Sequence, residues 1–139
     1  MTMPASTDTT YTLSGTTSLS FDAAVARVRE TLKDEGFGVL TEIDVQATLK
    51  EKLGEEVEPY VILGACNPPY AHRALGIEPE LGTLLPCNVV VYTQQDGSTR
   101  VSAVDPVAML GIVGRTDLEP IAAEIQEKVE RAVSRVWEA

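Results

Sequence analysis

The sequence predicts an α+β fold, a mainly antiparallel sheet with helices packed on one face. Three observations carry that expectation. Two stretches repeat apolar residues at helical spacing: Phe21, Val25, Val28 and Leu32, then Leu118, Ile121, Ile125, Val129, Ala132 and Val136. Short runs at 38–45, 60–65 and 87–92 read instead as strands, the last with three consecutive valines. Between two strand-like runs stands Asp96-Gly97, a hairpin signal that makes its neighbours antiparallel.

Taken in order, Met1 to Thr10 is polar and rich in Ser and Thr, and is expected to be a loose N-terminus ahead of one domain over 11–139. Tyr11 to Thr17 suits an edge strand. Ser20 is placed to cap the first helix, Asp22 lies in its first turn, and Gly36 stops it. Gly38 to Val45 is a second strand, and Gln46 to Leu53 a short helix ending at Gly54. Tyr60 to Ala65 is continuously apolar, the pattern of a strand buried on both faces.

Asn67 and Pro68 then begin a helix, Asn as cap and Pro at the first helical position, where its missing N–H costs nothing. That helix stops at Gly76, and a short turn of helix follows over 78–85. Cys87 to Tyr92 and Arg100 to Val104 form the hairpin. A two-residue loop at Asp96-Gly97 would set Tyr92 opposite Val101, Val90 opposite Ala103 and Asn88 opposite Asp105. Pro106 ends the strand, and 107–114 reads as an apolar loop, either packed on the core, walling a pocket or meeting a partner. Thr116 and Glu119 have capping-box spacing ahead of the last and longest helix.

Composition narrows the functions. The 139 residues carry a formal charge of −10, with no basic cluster, which argues against nucleic acid or an anionic membrane as partner. No apolar run approaches a membrane span. With two cysteines and no disulfide framework, the expectation is a reduced, cytoplasmic protein. Walker A, G-x-G-x-x-G, G-x-S-x-G and H-E-x-x-H patterns are all missing from the sequence. Both faces of the hairpin look apolar near Cys87 and Asn88, and helices would cover only one. A homodimer is the expected cover for the other.

The candidate site is Cys66, Asn67, His72, Arg73, Cys87, Asn88 and Asp105. Cys66 stands just before a helix start, where partial positive charge favours a thiolate. Free cysteine is also a common core residue, which is the competing reading. The dipeptide Cys-Asn occurs twice, at 66–67 and 87–88, and two neighbouring strand ends would bring both pairs to one pocket. His72 is the only histidine, and with Cys66 and Cys87 it falls short of the four ligands of a structural zinc. Asp105 is placed to hydrogen-bond Asn88 or act as a base, and Arg73 to form a rim ion pair or bind an anion. No cofactor is assigned. The expected function is a small ligand or metal bound near Cys66 and Cys87, with two alternatives: a structural or protein-interaction module, and a thiol enzyme using Cys66.

Several segments together resemble the domain of unknown function 302 family. They are Phe21-Asp22-Ala23-Ala24-Val25, Gly36-Phe37-Gly38-Val39-Leu40, Ile43-Asp44-Val45, Leu63-Gly64-Ala65-Cys66-Asn67-Pro68, Ala71-His72-Arg73-Ala74-Leu75, Leu85-Pro86-Cys87-Asn88-Val89-Val90-Val91-Tyr92 and Asp105-Pro106. The resemblance implies a TATA-binding-protein-like β-α-β4-α domain, often homodimeric, with no established activity. DNA binding does not follow from that fold name, since fold is not function and the charge here is wrong.

Overall fold

The computed structural model describes residues 8–139. The loose N-terminus expected over 1–10 therefore falls mostly outside the described residues. Five strands form one antiparallel sheet: β1 (Thr12–Thr17), β2 (Gly38–Asp44), β3 (Tyr60–Cys66), β4 (Cys87–Thr93) and β5 (Thr99–Val104), in spatial order β1-β5-β4-β3-β2. β1 and β2, consecutive in sequence, are the two edges. The helix between them, α1 (Phe21–Asp34), therefore has to cross the whole sheet. Ser20 caps it by accepting from the Ala23 N–H, as its sequence position predicts.

α1 and the long C-terminal helix α5 (Glu119–Trp137) cover one face of the sheet. Each contributes its apolar stripe: Ala24, Val28 and Leu32 from α1, and Ile121, Ile125, Val129, Ala132 and Val136 from α5, all buried. The sheet answers with Val61, Leu63 and Ala65 of β3, Cys87, Val89 and Val91 of β4, and Val101 and Ala103 of β5. Three short helices complete the chain: α2 (Val45–Leu53), α3 (Pro68–Ile77) and α4 (Pro106–Gly111). Short 3-10 segments run over Pro79–Leu84 and Thr116–Leu118. No helix among the described residues is long and apolar enough to cross a membrane.

Four local expectations are corrected. The hairpin loop holds three residues, Gln95, Asp96 and Gly97: the Gly97 N–H donates to Gln94 O, and the Gln94 N–H to Ser98 O. A type I′ turn needs positive φ at both central residues, yet among the described residues positive φ occurs only at glycines, here Gly97 at 87°. The Asp96 carboxylate instead accepts from the Ser98 N–H and hydroxyl, which holds Asp96 out of the left-handed region. One extra loop residue slips the register by one. Val89 faces Ala103, Val90 faces Ser102 and Tyr92 faces Arg100. Arg100, Ser102 and Val104 thereby move onto the face of Asn88, Val90 and Tyr92.

The second correction is β3. Its core-facing residues are buried, but Tyr60, Ile62 and Cys66 on the other face are only half-buried. The apolar run serves a sheet with helices on one side. A second copy covering the open side would have to meet Arg100, Ser102 and Asn88 as well as apolar surface. Third, 107–114 is not simply a loop: α4 begins at Pro106 with Asp105 as its cap. Fourth, Thr116 and Glu119 form no capping box. α5 starts at Glu119-Pro120 with no side-chain cap, because proline in the first turn removes an N–H that a cap would serve.

Candidate functional site

A cavity of about 340 Å3 opens at the end of the sheet where β3 finishes and β4 begins. Its walls converge from distant parts of the chain. Ala65, Cys66 and Cys87 come from the paired strand ends, and Leu81, Leu85 and Pro86 from the 3-10 turn and the link after it. Met109 and Leu110 come from α4 and Ile125 from α5. α3 supplies Ala71, Ala74 and Leu75, whose spacing puts them on one face of the helix. That periodicity also decides the fate of His72 and Arg73, which fall between these positions and are exposed.

Among the described residues, no charged side chain lines this cavity. One of its few polar groups, Asn67, is committed elsewhere. The Asn67 side-chain amide donates to the Glu35 carbonyl at 3.1 Å, tying the start of α3 to the end of α1. It makes no side-chain cap on α3, although it occupies the cap position. Pro68 and Pro69 have no N–H to offer there, which frees Asn67 for the longer-range bond. On the open side of the sheet, Gly64 lets Thr41 and Pro86 close over the backbone. A Cβ at Gly64 would lie 2.7 Å from Pro86 Cγ and closer still to the Thr41 hydroxyl.

The two cysteines are free and border the same cavity without sharing an environment. β3 and β4 pair Ala65 with Cys87, so Cys66 is one residue out of register and leaves the opposite side of the pleat. Cys66 is half-buried. Cys87 is buried, and burial, aided by Cys66 nearby, pushes its thiol up to about 11. At neutral pH, thiolate at Cys87 is on the order of one molecule in 10,000, so this sulfur is a neutral wall atom and not a nucleophile.

Of the seven expected site residues, the structure brings together Cys66, Asn67 and Cys87. The other four lie elsewhere. His72 is exposed. Arg73 pairs with Glu124 at 3.6 Å and lies over the Tyr70 ring, 5.5 Å from its centroid. Asn88 is exposed on the open face of the sheet. Asp105 accepts from the Val107 N–H at 2.9 Å and from Gln126 Nε2 at 2.8 Å, capping α4 and joining it to α5. It does not reach the Asn88 row, which the slipped register extends to Val104. Among the described residues, no group of three or more His, Cys, Asp or Glu is arranged to hold a metal. Sequence reasoning missed the cavity's greasy wall of Leu81, Leu85 and Ile125, and placed Met109 and Leu110 on a loop. The readable signal was Asp105-Pro106, the same cap-then-proline pair as Asn67-Pro68.

Comparison with known proteins bears on this geometry. The family model described as "Domain of unknown function DUF302" matches residues 13–136. The chain belongs to the DUF302 family. Its fold is also similar to the crystal structure of an uncharacterized conserved DUF302 protein from Bacillus stearothermophilus. The two are 33% identical with a TM-score of 0.86 over 92% of this chain and 99% of that one. A search of curated proteins gives no match. The matched DUF302 region contains every wall of the cavity, from Phe37 to Ile125.

Proposed function

We propose that this DUF302 chain is a binding module for a small, neutral, largely apolar molecule, with the Cys66–Cys87 cavity as its site. The observation that carries the reading is the cavity's lack of charge in a chain whose residues are 23% charged. At about 340 Å3 it is of ligand size. A charged ligand would lose its hydration there and gain no ionic partner. A metal would meet one neutral, buried thiol and one half-buried one. Catalysis through Cys87 is disfavoured for the same reason. The reading includes a reducing, cytoplasmic setting, in which both thiols stay free.

Fluorescence of the neutral probe N-phenyl-1-naphthylamine tests this. The wild-type chain should bind it with saturable enhancement. Ala71→Trp, placing an indole at a half-buried wall position, should weaken binding at least about tenfold with an unchanged circular dichroism spectrum. Equal probe binding by Ala71→Trp and wild type would contradict the assignment.

A further inference from the structure

The open face of the sheet carries a second concavity, of about 310 Å3, with a different chemistry. Its floor follows from the strand register. Val90, Ser102 and Ser14 form one row across β4, β5 and β1, and Tyr60, Tyr92 and Arg100 form the next across β3, β4 and β5. Tyr60 and Tyr92 stack with ring centroids 5.0 Å apart. Arg100 is the unusual member. It is only 8% exposed, although no helix among the described residues covers this face. Among the described residues its guanidinium meets one carboxylate, that of Asp8, at 3.2 Å through Nη2 alone. Asp8 is itself 92% exposed at the beginning of the described chain.

Burying an arginine against a single, solvated, one-pronged partner is a poor use of a planar fork built for two parallel bonds. We propose that this face is a binding site for a small organic carboxylate with a flat apolar body. The ligand's carboxylate takes Arg100 and its body lies over Val90 beside the Tyr60 ring. Asp8 is the internal carboxylate that holds the fork when no ligand is bound. Exchange keeps the buried guanidinium paired: the incoming carboxylate replaces the solvated Asp8 and can engage two guanidinium nitrogens where Asp8 engages one. The Ser102 hydroxyl and the Asn88 amide, both bordering the concavity, add hydrogen-bonding groups that an uncharged wall would lack. The local attraction for a carboxylate comes from Arg100, the buried cation of this face, against the net charge of −10 of the whole chain.

The test is titration of the full chain with benzoate and with its neutral isostere benzamide, followed by amide NMR shifts on β4 and β5. Benzoate should move signals around Val90 and Ser102, and benzamide should not. Asp8→Asn removes the internal competitor from an exposed position and should tighten benzoate about two- to fivefold. Arg100→Gln should weaken it at least about tenfold, and Arg100→Lys, which keeps the charge without the fork, should fall between. If Arg100→Gln does not fold, Asp8→Asn and the benzoate–benzamide pair still decide. Equal binding of benzamide and benzoate, or no gain from Asp8→Asn, overturns the proposal and leaves an ordinary ion pair. Naphthylamine binding in the Cys66–Cys87 cavity should be unaffected by Asp8→Asn, so the two sites fail or stand separately.

Discussion

The two concavities of this chain lie at one sheet and differ in almost everything that selects a ligand. The cavity beside Cys87 is built from α3, α4, α5, a 3-10 turn and residues of β2, β3 and β4, and among the described residues no charged side chain lines it. The concavity around Arg100 is built almost wholly from strands and holds a buried cation, two stacked phenols and a row of hydroxyls. The difference comes from which side of the sheet the helices cover. Where α3, α4 and α5 converge, apolar side chains meet and the Asn67 amide is tied to the Glu35 carbonyl. Where no helix lies, alternate residues of the same strands keep polar tips. β4 shows both at once: Cys87, Val89 and Val91 are buried in the core, while Asn88 and Val90 look out.

That contrast is broken most sharply by substitution in β3, where neighbours face opposite ways. Leu63 is fully buried among core residues, and Leu63→Ala should cost about 2–5 kcal/mol. Ile62 is half-buried on the open face, and Ile62→Ala should cost less than about half as much. Urea unfolding of both variants measures the pair. Equal losses would mean that the open face is covered in solution, which is where a second copy of the chain would register.

The pH dependence of Cys87 sharpens the comparison next. Its folded thiol titrates near 11 and its unfolded thiol near 9. Above about pH 9 the unfolded chain releases this proton while the folded chain keeps it, so the unfolded state binds fewer protons and stability falls as pH rises. The Cys87 contribution is complete below about pH 9 and lost progressively towards pH 11. The loss is on the order of 2 kcal/mol, and Cys87→Ala should remove that slope from unfolding curves recorded between these pH values. A slope unchanged in Cys87→Ala would place the sulfur in a wetter site than the core.

Much of the scaffold was legible in the residues, and the reasons are local. Ser20 and the Phe21-to-Leu32 stripe defined α1, Gly54 ended α2, and the stripe from Leu118 to Val136, five of its six residues on α5, is buried throughout. The hairpin register was not legible. Asp96-Gly97 is shared by two-residue and three-residue loops, and the bond from Ser98 to the Asp96 side chain decides between them. The slip matters functionally, because it carries Arg100 and Ser102 to the open face. The cavity was half legible: the two Cys-bearing strand ends do meet, but their Asn partners part company. Asn67 is drawn to Glu35, and Asn88 faces out. The greasy walls were read only in part: 107–114 was one candidate pocket wall, and Met109 and Leu110 do line the cavity, but Leu81 and Ile125 become their neighbours only when α4 and α5 fold back over the strand ends.

The central claim is that the uncharged cavity takes a neutral apolar guest. An amide NMR titration with indole tests it most directly. The account predicts saturable shifts centred on Ala65, Ala74, Cys87 and Met109, with the Val90 and Ser102 signals still. Shifts confined to the open face, or no saturable shift at all, would contradict it.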